Sequence, residues 1–362
     1  MKNYNPIIFS LTLFISFLGV ITIYSTRYPS TSINEIPLYL RQIIWIILGL
    51  VFLLFIYRWN AVRLWDIAYI IYVVTLVLLI LVDILGHIRL GAQRWLKILW
   101  FNFQPSELAK LASIIILSRY FSHYSLRFSG RSKLNFKRGI IIPFLWVAPM
   151  IFLILQQPDL GTALMIFFIY LSIVYFAGVK RKYIVILLII LVFLSPLLWH
   201  FLKDYQKERL LVFLNPDKDP LGAGYTVTQS KIAIGSGRFL GKGWLSGTQG
   251  QLRFLPEAHT DFIFSSFSEE WGFLGSLLLL ILYYLLIFYS LKIALATNEY
   301  FERLLAWGIV SMFFIQIFIN LSMTLGMAPV VGLPLIFFSY GGSSIVVSFL
   351  SLGILMNINK KR

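Results

Sequence analysis

Residues 255–291 read LPEAHTDFIFSSFSEEWGFLGSLLLLILYYLLIFYSL. From Trp271 to Leu291 there is no charged side chain, and a run of this length suffices for the roughly 20 residues that cross about 30 Å of hydrocarbon. The spacing predicts a membrane-spanning helix over 269–291. The front of the stretch is different. Glu257, His259, Asp261, Glu269 and Glu270 place five titratable groups in sixteen residues, in a chain that is only 13% charged. Carboxylates at a membrane boundary are costly to desolvate and point to function by default.

Working outward, similar apolar runs predict ten spans in all, at 7–26, 38–57, 66–84, 104–122, 139–156, 160–178, 183–201, 269–291, 304–326 and 335–357. With 59% hydrophobic residues over 362, the fold class is an all-α polytopic membrane protein. Strand-like alternation is absent, which argues against a β-barrel. No small-residue cleavage site follows the first run, so it reads as a retained span. The chain reads as a single transmembrane domain over 1–362. One long connection, about 202–268, lies between spans seven and eight, with eight of the 24 glycines between 222 and 250. A connection of that length is usually functional.

Lys and Arg outnumber Asp and Glu by 31 to 15, a net charge of +16. The excess reads as cytoplasmic loops under the positive-inside rule, not as a nucleic-acid surface. Arg119, Arg127, Arg131, Lys133, Lys137 and Arg138 cluster in one connection, Lys180 to Lys182 in another, and Lys360, Lys361 and Arg362 end the chain. Arg58, Arg63, Lys292 and Arg303 follow the same bias. With ten spans, both termini are cytoplasmic and 202–268 is extracytoplasmic. No cysteine is present, which excludes disulfides, thiolate metal sites and cysteine nucleophiles.

Asp261 is either a helix N-cap or a base able to take a proton from a sugar hydroxyl. Glu107 and Lys110, in QPSELAKLA, share a helical face. They form either a structural intramembrane pair or a cation held for an anionic ligand. Asp159, in QQPDLGTAL, reads first as an N-cap. GAQRW (91–95) is an outer loop with Arg94 beside an interfacial Trp. The segment 229–234 is amphipathic, and either lies at the interface with Lys231 toward headgroups or packs as a re-entrant loop. GAGY and GSGRFLGKG lack the strand and the GK[ST] of a nucleotide site. SYGGSS (339–344) suits close packing. The four histidines have no metal-ligand spacing, so no metal site is assigned.

GAQRW, FQPSELAKL, QQPDLGTAL, FLNPDKDPLGAGY, QSKIAIGSG, GTQGQLRFLPEAHTDFIF, EEWGFLG, APVVGLPL and SYGGSS occur in this order. Together they resemble the SEDS family of shape, elongation, division and sporulation proteins, over nearly the whole chain. NPDKDPLGAGY and KGWLSGTQGQL are most like its elongation branch, RodA, with the division branch, FtsW, as second choice. EEWG stands where EELG is commoner.

The resemblance implies a peptidoglycan glycosyltransferase of the bacterial cytoplasmic (inner) membrane. It implies polymerisation of lipid II, an undecaprenyl diphosphate-linked disaccharide peptide, into glycan strands on the outer leaflet during elongation. It also implies a class B penicillin-binding protein as transpeptidase partner, with other elongation-complex membrane proteins. The family's catalytic aspartate falls on Asp261, its intramembrane acid and lysine on Glu107 and Lys110, and its PDLG aspartate on Asp159. Arg94, His259 and Glu257 are further candidates for substrate binding. The expected chemistry is a single inverting displacement, with Asp261 as general base and Lys110, together with Arg94 or a divalent cation (Mg or Mn), facing the departing diphosphate. A lipid-linked precursor flippase and a non-catalytic scaffold of the elongation complex are the competing readings.

Overall fold

The computed structural model describes residues 4–27, 36–59, 63–89, 92–98, 101–127, 134–201, 204–215, 219 and 222–360. Arg131, Lys133, Lys361 and Arg362 of the basic clusters, Gly91 of GAQRW and much of NPDKDP lie outside the described residues.

A helix lies on each predicted span. They are α1 (Asn5–Thr26), α2 (Leu38–Arg58), α3 (Arg63–Leu85), α4 (Pro105–Arg127), α5 (Ile142–Gln156, entered through a π turn at Lys137–Ile141), α6 (Leu160–Phe176), α7 (Arg181–Phe201), α11 (Ile263–Ala296), α12 (Tyr300–Thr324) and α13 (Gly342–Lys360). Among the described residues, seven helices are long and apolar enough to cross a membrane, and α6 is a shorter apolar one. The chain is therefore a multi-pass membrane protein.

Helix α4 shows how the bundle is layered. It begins at Pro105, where a proline's missing N–H costs nothing, and it packs against α3, α5, α6, α12 and α13. Ser106, Glu107, Lys110, Ser113 and Ser118 are all buried on it. A polar helix is tolerable at membrane depth only when protein, not lipid, surrounds it. Helix α7 is the reverse. It is apolar all round, Phe193 is 81% exposed, and no described side chain on it is buried.

The structure departs from the sequence reading in four places, the last of them at α11, described below. The loop carrying GAQRW is a small antiparallel meander, β1 (His87–Arg89), β2 (Ala92–Ile98) and β3 (Phe101–Phe103). Its strands are too short to announce themselves by alternation, and tertiary bonds hold them, among them Gln93 Nε2 to Val82 O (2.9 Å) at the end of α3. The long connection is largely helical, with α8 (Asp204–Leu214), α9 (Ala223–Ser236) and the single turn α10 (Thr248–Gln251). The last helix starts at Gly342, not 335. Pro329, Pro334 and the left-handed Gly326 and Gly332 keep 325–341 irregular. Leu333 and Leu335 to Phe338 are nevertheless buried, as irregular backbone at membrane depth must be.

Helix α9 packs against α11, with Ser230 bonded to Ser265 Oγ (2.7 Å) and Thr324 O (2.6 Å). The segment 229–234 is therefore a packed element. Lys231 sits on its open side, over Gly326.

Helix α11 begins at Ile263, earlier than the predicted 269, because it contains a kink. Gly272, at φ 64° and ψ −160°, breaks it into two segments. The backbone groups released there bond to the glycine-rich loop. Phe273 N and Leu274 N donate to Arg238 O and Phe239 O (2.9 and 3.2 Å), and Lys242 N and Gly243 N donate to Glu269 O and Glu270 O (both 3.0 Å). A Cβ at Gly272 would fall on the backbone of Gly241, and its φ/ψ is essentially reserved for glycine. Gly272→Ala is expected to cost about 1–3 kcal/mol from backbone strain alone. A thermal-melting assay in detergent should register it as a lowered midpoint, and an unchanged midpoint would refute this account of the kink.

Candidate active site

The acid-rich window divides in two. Glu269 is fully buried and accepts from Lys242 Nζ (2.6 Å), Thr248 N and Thr248 Oγ1 (both 2.9 Å), and Gln249 N (3.1 Å to Oε2). Glu270 accepts from Ser25 Oγ on α1. These two carboxylates tie the glycine-rich loop and α1 to α11. Glu257, His259 and Asp261 belong to a separate group.

The turn carrying that group is built around Glu257, at φ 50°, a region non-glycine residues enter seldom and often at functional sites. Its carbonyl accepts from Thr260 N (3.1 Å) and Phe262 N (3.3 Å), and its carboxylate accepts from Thr260 Oγ1 (2.9 Å). Leu255, Ala258 and Phe262 close the underside against Val330. His259 O accepts from Tyr340 N (2.9 Å), and the two rings lie 5.8 Å apart. Thr260 O accepts from Ser339 Oγ (2.7 Å). The turn is thus laid against the irregular 325–341 segment.

Asp261 is not the N-cap of α11. That position is Phe262, without a side-chain capping bond. Among the described residues the Asp261 carbonyl alone is bonded, by Asn320 Nδ2 (3.0 Å), which also donates to Leu333 O (2.7 Å). A Cβ on Gly332, itself at φ +74°, would stand 3.5 Å from Asp261 Oδ2. Glycine there keeps that side of the carboxylate open. Burial, followed by the charge of Glu257 and to a lesser degree Asp159, pushes the Asp261 carboxyl up to about 7, against the opposing pull of Arg209 and Arg94. Burial disfavours the charged form, and a neighbouring carboxylate adds to it.

Asp159 is the N-cap of α6 and more. Its carboxylate accepts from Thr162 N (3.2 Å), Thr162 Oγ1 (2.9 Å), Gln104 Nε2 (3.2 Å) and Ser106 Oγ (3.3 Å). Arg94 Nη1 is 4.0 Å from its Oδ1. Arg94 also donates to Gln157 O (3.1 Å) and Pro158 O. Strand β2 therefore delivers Arg94 to the start of α6, within electrostatic reach of Asp261.

Glu107 and Lys110 lie deeper. Lys110 is 1% exposed, and its ammonium donates to Glu107 Oε1 and Gln316 Oε1 (both 2.9 Å) with Glu107 Oε2 also at 2.9 Å. Three acceptors match its three N–H bonds. Gln316 Nε2 donates to Pro334 O (2.9 Å). The pair thus joins α4 to α12 and to the 325–341 segment, and Lys110 presents no N–H to the surface.

Asp261, Glu257, His259, Arg94 and Asp159 are brought together at one end of the bundle, with Glu107 and Lys110 behind them. Arg209 on α8, Gln316 and Asn320 on α12, and Gln104 escaped the sequence reading. Arg209 stands in an ordinary charged stretch, KER. Gln316 and Asn320, spaced four apart in an apolar helix, are a signal for a shared polar face. Among the described residues, no three His, Cys, Asp or Glu side chains converge as a metal site.

The sequence profile of the FtsW, RodA and SpoVE cell cycle proteins matches residues 5–362. The peptidoglycan glycosyltransferase MrdB of Escherichia coli K12 is 42% identical over 293 residues, covering 81% of this chain and 77% of that protein. The peptidoglycan glycosyltransferase RodA of Treponema pallidum is 31% identical, covering 100% and 99%. Among solved structures, a chain of a peptidoglycan synthase complex that coordinates polymerization and crosslinking superposes with a TM-score of 0.81 at 32% identity, covering 98% of this chain and 97% of that one. The rod shape determining protein RodA of Thermus thermophilus superposes with a TM-score of 0.71 at 29% identity, covering 98% and 96%. With a profile that spans nearly every residue and the same helical arrangement in both structures, the chain belongs to the SEDS family of peptidoglycan glycosyltransferases, the FtsW/RodA/SpoVE cell cycle proteins.

Proposed function

We propose that this protein polymerises lipid II into glycan strands on the outer leaflet of the bacterial cytoplasmic membrane during elongation, with Asp261 as general base. The observation that carries the assignment is the Asp261 carboxyl. It is held by its backbone, left unused as a cap, and raised to about 7 beside Arg94 and Arg209. A base poised near the working pH is the most effective kind.

In the displacement, the 4-hydroxyl oxygen of the acceptor GlcNAc attacks the anomeric carbon of the donor MurNAc. The new C–O bond forms as the bond to the diphosphate oxygen breaks. The hydroxyl proton passes to Asp261, and the electron pair leaves on the diphosphate. That leaving group is good once its charge is met, so one carboxylate serves where glycoside hydrolysis uses two. Arg94, anchored by the Asp159 cap, supplies positive charge to the site. His259 and Glu257 line the turn that presents Asp261 and are placed to bind sugar. Glu107 and Lys110 serve the substrate indirectly, by holding Gln316 and the segment against which the turn rests. Among the described residues no cluster of His, Asp or Glu side chains would hold a divalent ion by itself. A flippase needs a hydrophilic path through the bundle, whereas the buried charges of α4 are paired with each other. A scaffold leaves the elevated Asp261 without a task.

We further assign both termini to the cytoplasm, 202–268 to the outside, residues 1–362 to one functional unit, and a class B penicillin-binding protein as partner alongside other elongation-complex membrane proteins. Because the chain has no cysteine, an exposed Ser246→Cys variant is singly labelled. An impermeant thiol reagent should modify it in intact spheroplasts. Modification only after the membrane is disrupted would reverse the orientation.

Asp261→Asn keeps size and removes basicity. With labelled lipid II and a partner whose transpeptidase is blocked, strand synthesis should fall by about 10²-fold or more. More than about a tenth of the normal rate would sink the base assignment, since a base is worth at least about 10²-fold. Only the deprotonated form accepts a proton, so a carboxyl at about 7 loses function on the acid side. Turnover should climb about tenfold between pH 5 and 6 and level off above about pH 8. A flat profile over that range would mean an ordinary carboxylate.

Lys110→Met strands Glu107 in the interior, a change worth about 3–5 kcal/mol. Lys110→Met combined with Glu107→Gln should recover much of that stability. A double variant as unstable as Lys110→Met alone would show that the two side chains do not act as a pair.

A further inference from the structure

The glycine-rich loop runs along the kinked end of α11. Phe273 N and Leu274 N tie it there by donating to Arg238 O and Phe239 O (2.9 and 3.2 Å). Gly237 and Gly241 permit so close an approach, since a Cβ on either would fall on the α11 backbone, at Ser268 O and Glu270 O. Gly241 N closes the bend by donating to Gly237 O (2.8 Å), and Arg238 N donates to Gly235 O (3.3 Å). Much of the backbone of the bend is thus bonded within the protein. A loop in water has no need of this, whereas irregular backbone at membrane depth does.

The side chains of the bend point outward. Phe239 is 60% and Leu240 74% exposed. Phe239 stacks on Phe273 at 5.8 Å, and Phe273 heads a stripe of exposed Leu274, Leu277, Leu278 and Ile281 on α11. Helix α11 is long and apolar enough to span the membrane, and an exposed apolar stripe on a span faces lipid. The patch at Phe239 and Leu240 continues that stripe. An exposed apolar patch marks an interaction surface, and here its continuity with the stripe shows what covers it.

Neighbouring aromatic rings give the depth. Trp244, just after the bend, lies 6.0 Å from Tyr24 at the end of α1, and Tyr24 lies 5.2 Å from Tyr39 at the start of α2. Amphipathic rings gathered at the ends of two spans form an interfacial belt. Ser25, next to Tyr24, bonds Glu270, so the belt is level with Glu270. Phe273 and Leu274, with Phe239 beside them, stand about 5 Å further along α11, toward the membrane centre. The cations of the bend are compatible with this depth. Lys242 turns back to Glu269 (2.6 Å). Arg238 is exposed, and its aliphatic stem is long enough to carry the guanidinium to headgroups.

We propose that residues 237–244 are a membrane-immersed anchor, with Phe239 and Leu240 among the acyl chains of the leaflet on that side and Trp244 among its headgroups. The anchor is tied to the active-site turn. Lys242 and Thr248 both bond Glu269, and Gln249 O accepts from Leu255 N (2.9 Å), two residues before Glu257. The turn is thereby held at a fixed height over the leaflet, the level at which the head of a lipid-linked substrate stands. This last consequence rests on the polymerase assignment above, whereas the immersion itself does not.

Immersion can be measured without turnover. Because the chain has no cysteine, Phe239→Cys, Leu240→Cys, Leu278→Cys and Ser246→Cys each accept a single nitroxide spin label on the purified full chain. The labelled chains are placed in nanodiscs of phosphatidylethanolamine and phosphatidylglycerol. Collisions with molecular oxygen, which concentrates in hydrocarbon, are compared with collisions with a neutral nickel chelate, which stays in water. Labels at 239 and 240 should favour oxygen, as the lipid-facing label at 278 does, and the label at 246 should favour nickel. Positions 239 and 240 test the same patch, so either decides the matter where the other variant fails to insert. A preference for nickel at 239 and 240 would place the bend in water and overturn the anchor. Few collisions with either reagent would mean that protein, such as a second copy of the chain, covers the patch, and would overturn it equally. Failure of the polymerase assignment would appear separately, as Asp261→Asn still making strands.

Discussion

The buried Glu107–Lys110 pair is the constraint around which the bundle is organised. A full charge pair inside a membrane protein is tolerable only when each member is matched and its remaining hydrogen-bonding capacity is used. Here the ammonium has three oxygens within 2.9 Å and exposure of 1%. Meeting that requirement places α12 against α4, because the third oxygen belongs to Gln316. Gln316 then uses its amide to hold Pro334. One turn further along the same face, Asn320 holds Leu333 and Asp261. A desolvation problem in the core is thereby converted into the position of a carboxylate at one end of the bundle.

The site above this core joins pieces that are far apart in sequence. Strand β2 brings Arg94, the start of α6 brings Asp159, helix α8 brings Arg209, and the turn before α11 brings Asp261. Each is set by backbone carbonyls or by a cap. The Asp261 carboxylate stands apart from this arrangement, since among the described residues the carbonyl of Asp261 is what is bonded. That division leaves the carboxylate able to change protonation state without breaking a hydrogen bond among the described residues. The kink at Gly272 makes a second such division, handing the α11 backbone to the glycine-rich loop so that Glu269 and Glu270 become structural.

The positions of the long helices, their apolar faces and the polar character of α4 were legible from residue order alone. Hydrocarbon thickness imposes a length on every span, and a helix satisfies its own backbone wherever it lies. The capping role of Asp159 was legible for a similar reason, since a cap is a local bond over three residues. The ordered motifs identified the family, which the sequence profile and the superposed structures bear out.

Other features belong to the tertiary structure. Residue order alone left Glu257 and Glu269 as neighbours in one acid-rich window, yet one lies on the active-site turn and the other under the glycine-rich loop. It also left open whether Asp261 caps a helix, which it does not, and whether Lys110 has internal partners, which it has. Those choices turn on which side chains approach from distant segments, namely Gln316, Asn320, Gly332 and Arg209. None of these stands close to its partner in sequence. The local dielectric and the nearest charges set both the protonation of Asp261 and the matching of Lys110, and both come into being only when the helices pack.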